Sequence, residues 1–244
     1  MTLILPSNVA QSLIAASSAY KGLDNLYRSL RPDWNVVAYV PMGDLIPDEW
    51  VAGATNGTAA AVSVGSGLLT MTTGTDDDGY AGQAYGLLWK GDLGYTSEFI
   101  FAPGSAITTL KFEVGMTDAV ADAGAVATKA TPTGTADDFC VLVFDRDDNA
   151  ELDLISELDN GGPVANAENV YTLAASTIFS AEFKAQGDVV GVFINGSNVG
   201  SGSMQGGNLV TPWWFAQARA GSASRTLDVY WAFCTGPNGN ALVY

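Results

Sequence analysis

The 244-residue chain is 48% hydrophobic and only 15% charged, so it can bury a substantial core and is not a disordered chain. Its net charge of −16 leaves it without the basic surface that binding to nucleic acid requires, so we expect no nucleic-acid partner. The absence of histidine excludes Ser–His and Cys–His nucleophile pairs and removes the commonest zinc ligand.

The first 35 residues are predicted to form a short helical arm. Ser7 is a good N-cap for a helix that begins at Pro6 or Ser7 and ends at Gly22. A second, shorter helix follows and stops before Pro32. The apolar face of this segment is thin, so it needs a surface to pack on. That surface belongs either to the rest of the chain or to a neighbouring protein.

The arm also differs from the rest of the chain in charge. Residues 1–32 carry three cations and one acid, a net charge of +2, whereas the remainder has a net charge of −18. Chance explains such a difference, or else the segment docks on an acidic surface. The residues that we expect to contact a partner are Leu3, Ile4, Leu5, Val9, Leu13, Tyr20, Lys21, Arg28 and Arg31.

Neither a signal peptide nor a membrane span is predicted. The N-terminus lacks a cationic region, Pro6 interrupts its apolar start, and no apolar run approaches the ~18 residues of a membrane span. Cys140 and Cys234 lie in apolar, strand-like runs and are too few for a disulfide framework. We expect both to be free, buried thiols, consistent with assembly in a reducing cytoplasm.

From residue 36 onward the hydrophobic period changes to two, and the chain reads as short strands separated by turn residues. The predicted strands, in chain order, are NVVAYVP, AAAVSV, GLLTMTT, QAYGLLW, TSEFIFA, TTLKFEVGM, DFCVLVFD, AELDLIS, ENVYTL, STIFSAEFKA, DVVGVFIN, SNVGSGS, LVTPWWFAQAR and SRTLDVYWAF. We therefore predict an all-β domain over residues 36–244, an antiparallel sandwich of two sheets, preceded by the arm of residues 1–35.

Residues 144–162, FDRDDNAELDLISELDNGG, hold seven carboxylates. One interpretation is a glycosidase motif, because Glu151, Asp153 and Glu157 approach the E-x-D-x-x-E pattern of laminarinase-type hydrolases. Residues i, i+2 and i+4 of a strand share a face, and a retaining mechanism needs two carboxyls ~5–5.5 Å apart. In an extended strand, Glu157 lies ~20 Å from Glu151, which is too far without a bulge.

A calcium loop is the second interpretation, with Asp145, Asp147 and Asn149 at positions 1, 3 and 5 of an EF-hand-like pattern. The pattern then fails, because Ala150 replaces the required glycine and Ser156 replaces the bidentate glutamate. The third interpretation, which we favour, is a β-hairpin with a turn at residues 146–149 and charges on one solvated strand face. On this interpretation we expect no cofactor.

Two further stretches have a clear local signal. Asn195-Gly196 lies between two alternating runs and predicts a two-residue type I′ hairpin, with Val190, Val192 and Ile194 on one face. The aromatic run at residues 213–215 is either an exposed platform for sugar rings or part of the core, with Trp213 and Phe215 on one face and Trp214 on the other. For a sugar-binding function, the aromatic residues to test are Tyr80, Tyr85, Trp89 and Trp214.

Several sequence motifs, in the same order along the chain, resemble those of a family of tailed-phage virion proteins with a concanavalin-A-like (laminin-G, jelly-roll) sandwich. The resemblance covers roughly residues 60–235 and rests on turn and packing motifs, which are specific for fold and weak for activity. The matching residues are Gly115, Thr117, Asp118, Ala119, Phe144, Asp145, Asp147, Ile194, Asn195, Gly196, Val199, Arg219, Arg225, Thr226, Leu227, Asp228 and Val229. The sequence departs from the family at Tyr230-Trp231, where a polar residue followed by an aromatic is usual.

This resemblance implies a non-enzymatic role on a virus particle, as a capsid decoration (cement) protein anchored to the shell through residues 1–35. The implied partners are the major capsid protein or other virion proteins, and the implied location is the capsid surface after assembly in the host cytoplasm. A homo-oligomer, with a trimer as the expected state, would add avidity. The alternative is a tail- or head-fibre-associated protein that binds a glycan for adsorption.

Overall fold

A computed structural model describes residues 34–39, 51–55, 60–65, 68–119, 124–220 and 223–237. Nearly all of these residues belong to strands or the turns that join them, with a single 3₁₀ turn at Gly91–Leu93. The strands are β1 (Trp34–Tyr39), β2 (Val51–Thr55), β3 (Ala60–Gly65), β4 (Leu68–Thr73), β5 (Tyr80–Ala84), β6 (Tyr95–Pro103), β7 (Leu110–Thr117), β8 (Val126–Thr128), β9 (Thr133–Gly134), β10 (Phe139–Asp145), β11 (Glu151–Glu157), β12 (Val164–Thr172), β13 (Phe179–Gln186), β14 (Val189–Ile194), β15 (Ser197–Ser203), β16 (Thr211–Ala218) and β17 (Thr226–Pro237).

Two large antiparallel sheets form the sandwich. One has eight strands in the order β15-β14-β13-β6-β17-β4-β3, with β1 also paired to β17. The other has seven strands in the order β12-β11-β10-β7-β16-β5-β2. The predicted all-β, two-sheet sandwich is therefore confirmed. The described residues contain no helix with the length and apolar character that a membrane crossing requires.

Alternating apolar residues on the inner faces of both sheets form the main core. Along β7, Leu110, Phe112 and Val114 point inward and are fully buried or nearly so. They meet aromatic residues of the opposite sheet, where the Phe101 and Phe112 rings lie edge to face at 5.6 Å. This burial supplies the main driving force for folding. The two cysteines are free and buried in this core, as predicted.

A second apolar cluster lies on the other face of the seven-stranded sheet. Its centre is Trp213 and Phe215 of β16, whose rings stack at 5.6 Å. Residues 124–138, which include the small β8–β9 hairpin, cover this cluster with Ala125, Val126 and Ala136. Both faces of the central strands of this sheet are therefore buried, which explains why every residue of β7 and β16 is buried.

Most of the predicted strands match observed ones, and two differences have a physical cause. β2 was not predicted, because its sequence, VAGAT, is small and has little strand signal. The strand predicted at residues 83–89 lies earlier, at Tyr80–Ala84. There Gly82 faces Trp213, and a Cβ at Gly82 would lie 2.8 Å from the indole Cη2. The small residues of β5 thus make room for an aromatic neighbour, a tertiary requirement.

The Asn195-Gly196 turn is confirmed, because both residues have positive φ, 49° and 79°. The predicted facing of β14 is also confirmed, with Val190, Val192 and Ile194 buried. Residues 1–33 of the predicted helical arm lie outside the described residues. Its last two residues, 34 and 35, belong to β1, which begins at Trp34.

Candidate functional site

The acidic stretch forms the predicted hairpin of β10 and β11, with Phe139 opposite Glu157 and Phe144 opposite Leu152. The prediction that the charged strand face of this hairpin is exposed to solvent is wrong. Asp145, Asp153 and Glu157 are only 3%, 5% and 4% exposed. Residues 124–138 cover this face, so each buried carboxylate needs a partner.

Arg219, which follows β16, is the partner of Asp145. Its Nε donates to Oδ1 at 3.2 Å, and its Nη2 donates to Oδ2 at 2.5 Å. Nη2 also donates to the carbonyl of Ala127 at 2.7 Å. This two-point pair is the strong geometry for an arginine–carboxylate interaction, and it ties the hairpin to the covering segment.

Lys129 extends from the covering segment into the acidic turn and is 2% exposed. Its Nζ donates to Asn149 Oδ1 at 2.6 Å and to the carbonyl of Glu151 at 2.9 Å. It also lies 3.1 Å from Asp148 Oδ2 and 3.6 Å from Asp153 Oδ2. The ammonium group thus has four oxygen neighbours.

The three candidate calcium ligands lie in this same turn. Asp145 is bonded to Arg219, and Asn149 is bonded to Lys129. Asp147 is exposed, and its backbone N–H donates to Asp145 Oδ1 at 3.3 Å. Within the described ranges, no group of three or more Asp, Glu or Cys residues is arranged to hold a metal ion. The chain's own cations therefore lie where a bound cation would be needed, and the expectation that the chain has no cofactor stays a prediction.

The carboxylates of the glycosidase-like pattern each have a different neighbour. Glu151 Oε1 accepts from Thr172 Oγ1 at 3.1 Å, and Asp153 Oδ1 accepts from the Asn169 N–H at 2.8 Å. Glu157 Oε1 accepts from the N–H of the β11–β12 turn at residue 162, at 3.0 Å. Each carboxylate is fixed locally, and the covering segment lies over the face that they share.

A buried ion pair lies under the same covering segment. Lys111 and Glu113 of β7 are both fully buried, and Lys111 Nζ lies 3.0 Å from Glu113 Oε1. Glu113 also accepts from the N–H groups of Ala125 and Val126, at 2.6 and 3.1 Å, and from Trp213 Nε1 at 3.1 Å. Lys111 Nζ donates in turn to the Val126 carbonyl. Burial lowers the pKa of Lys111 from its usual 10.5, and Glu113 opposes that shift.

Sequence reasoning missed this centre. The signal was present in LKFEVGM, where a lysine and a glutamate two residues apart lie on one face of an apolar strand. On a solvated face that pair is ordinary, and only the covering segment makes it a buried ion pair. Lys129 was missed for the same reason.

The aromatic residues proposed for sugar stacking do not form an exposed platform. Trp89 and Trp214 are 0% exposed, and Tyr80 is at most 9% exposed. Tyr85 is partly buried and packs against Trp89, with ring centroids 5.6 Å apart. The platform alternative for residues 213–215 is wrong, because all three side chains are core residues.

A groove of about 530 Å³ lies beside the hairpin, between residues 132–137 and the turn at residues 160–163. Glu157 contributes to its lining. The nine residues of the predicted partner surface, from Leu3 to Arg31, lie outside the described residues. The groove is a candidate ligand site formed by described residues.

The fold resembles known β-sandwich proteins. It is similar to the carbohydrate recognition domain of Emp47p, with a TM-score of 0.55 and 12% identity over 80% of this chain and 94% of that one. It is also similar to SO2946 of Shewanella oneidensis MR-1, a protein of unknown function, with a TM-score of 0.61 and 12% identity over 100% of this chain and 99% of that one. The Crh5 transglycosylase matches with a TM-score of 0.56 and 11% identity over 84% of this chain and 85% of that one.

The fold is concanavalin-A-like. At these identities the similarity shows the fold alone, and the matched proteins include both binding domains and an enzyme. Neither a protein-family model nor a curated protein matches the sequence.

Proposed function

We propose that this chain is a non-enzymatic structural protein of a tailed-phage particle, and that it decorates the capsid. The resemblance of residues 60–235 to virion sandwich proteins supports the assignment of the chain to a phage particle. The closed face of the seven-stranded sheet supports a role without catalysis, and it is the observation on which the proposal chiefly depends.

On that face, residues 124–138 cover the acidic side chains of β10 and β11, including Asp145 and Asp153. They are held by the bonds of Glu113 to two backbone N–H groups, by Lys129 in the acidic turn, and by the bond of Arg219 to the Ala127 carbonyl. Opening the face would separate several buried charges from their partners, which is costly. The arrangement suits a rigid module that binds through its outer surface or through an added segment.

The proposed added segment is the N-terminal arm. Trp34 pairs with Pro237, so the residues that precede β1 join the sandwich at the edge beside β17. From there the arm contacts the capsid shell or a neighbouring copy with its apolar side chains and with Lys21, Arg28 and Arg31. Association into a homo-oligomer, which we expect to be a trimer, multiplies these contacts.

The test is binding of the purified chain to capsids that lack it, followed by cryo-electron microscopy. We expect the full chain to occupy regular capsid sites. A full-length variant with Lys21, Arg28 and Arg31 all changed to Glu should keep the sandwich folded and lose binding. Density confined to the tail would replace decoration with adsorption, and equal binding by the variant would refute the role of the arm.

A carbohydrate-binding function is the second candidate. Two observations favour it: the fold is shared with proteins described as carbohydrate recognition domains, and the groove beside Glu157 is lined by polar groups. A glycan array probed with the full chain tests this function independently of capsid binding.

A further inference from the structure

Glu157 lines the groove between residues 132–137 and 160–163, and one of its two carboxylate oxygens lacks a hydrogen-bond partner within the described part of the chain. Glu157 is 4% exposed, and its Oε1 accepts from the Gly162 N–H at 3.0 Å. Its Oε2 is buried and has no hydrogen-bond partner among the described residues. A buried carboxylate oxygen without a donor is unfavourable, and most buried polar atoms in proteins are satisfied. The groove is therefore the natural place for a donor from outside the chain.

The backbone of Gly134 lies directly against this oxygen and forms part of the groove wall. A Cβ on Gly134 would lie 2.1 Å from Glu157 Oε2, so only glycine permits the observed position of the carboxylate. Across the groove, Asp159, Asn160 and Gly162 have positive φ, of 48°, 57° and 92°. That conformation gives the turn the curvature that brings the Gly162 N–H to Oε1.

The charge of the groove restricts what it can bind. Besides Glu157, its lining includes Asp137, Thr133, Thr135 and Asn160, together with backbone and two prolines, but no lysine or arginine. Hydrogen-bond acceptors and negative charge favour ligands that carry hydroxyl or ammonium donors. An anionic ligand would be repelled, because the lining offers no cation to pair with it.

We propose that this groove binds a neutral or amino sugar, and that a sugar hydroxyl or ammonium group donates to Glu157 Oε2. This proposal rests on the carbohydrate-binding function given above and names its site. The carboxylates of Glu151 and Asp153 accept hydrogen bonds from Thr172 and Asn169, and the role proposed for Glu157 is that of a hydrogen-bond acceptor in binding.

The experiment is titration calorimetry with the full chain against glucose, N-acetylglucosamine, glucosamine and sialic acid. Two variants probe the site: Glu157→Gln, which removes the charge, and Gly134→Ala, which displaces the carboxylate. Glu151→Gln is the matched control, because it removes a carboxylate of the same strand that bonds to Thr172. We expect measurable binding of a neutral or amino sugar, a loss of about tenfold or more in both site variants, and little change in the control.

The outcomes separate the site from the function. If the unaltered chain binds sugar and Glu157→Gln binds equally well, the groove is wrong while the carbohydrate-binding function stands. If the chain binds no sugar in the panel, or prefers sialic acid, the proposed ligand class is overturned. Glu157→Gln should also keep the melting temperature or raise it, and a clear fall would assign Glu157 a structural role instead. Capsid binding is measured separately and is unaffected by any of these results.

Discussion

Replacing Glu113 by Gln should strongly destabilise the fold. Glu113 is fully buried and compensates the charge of Lys111, which is equally buried at an N–O distance of 3.0 Å. Removing one partner of a buried pair costs about 3–5 kcal/mol, because the other charge is left uncompensated. Against a total stability of about 5–15 kcal/mol for a typical domain, that loss is large.

The measurement is urea unfolding followed by tryptophan fluorescence, to which Trp213, a donor to Glu113, contributes. The matched control is Glu182→Gln, which removes a carboxylate 2.9 Å from Lys184 in a pair whose side chains are 30% and 50% exposed. Such a surface pair contributes about 0.2–1 kcal/mol. If Glu113→Gln costs no more than this control, the assignment of a buried, charge-compensating pair is refuted.

The pH dependence of Glu113→Gln gives a second check. Burial lowers the pKa of Lys111 below its usual 10.5, and loss of Glu113 removes a group that opposes this shift. Between the lowered pKa and 10.5 the unfolded chain binds more protons than the native chain, so stability rises with pH. The variant should therefore recover stability as pH increases toward 10, and a flat profile would contradict the argument.

Burial raises the pKa of Asp138 from 3.8 to about 7, so between these two values the native state binds a proton that the unfolded state has released. The free energy of unfolding should therefore fall by up to about 4 kcal/mol between pH 4 and 8. Asp138→Asn should flatten that part of the pH profile, measured by urea unfolding. Lys129→Met should cost about 3 kcal/mol and lower the melting temperature by several degrees, because the acidic turn loses its buried cation; an unchanged melting temperature would contradict this. Gly115→Ala should lower the free energy of unfolding by about 1–3 kcal/mol, because the new Cβ would lie 2.3 Å from the Cys140 carbonyl oxygen. Gly191→Ala is the control, because its Cβ would meet no atom closer than 3.7 Å. Equal unfolding midpoints for the two variants would refute the packing argument.

Local signals account for the parts of the fold that were predicted. The alternation of Val190, Val192 and Ile194, followed by Asn195-Gly196, specifies a hairpin without any knowledge of the rest of the chain. The same applies to most strands of both sheets. The sequence did not predict β2 and misplaced β5, because small residues have little intrinsic strand preference. Only their neighbours in the sheet stabilise these segments as strands.

The candidate site could be predicted only in part. The hairpin around the acidic stretch was found, because turn residues separate two apolar runs. Its environment was not found, because Lys129 and Arg219 are distant in sequence from Asp145. Likewise, nothing near Glu157 in sequence indicates that Gly134 lies against its carboxylate.

The sequence by itself determined the class of this protein: an acidic, histidine-free, all-β chain whose period-two pattern produces two antiparallel sheets. That information is local, because strand period, turn residues and composition act over a few residues. The tertiary structure alone decided which face of the seven-stranded sheet is closed and where the chain's few cations lie. Those outcomes depend on a covering segment that meets β7, β10, β11 and β16 through space, and burial then turns ordinary charged residues into paired groups.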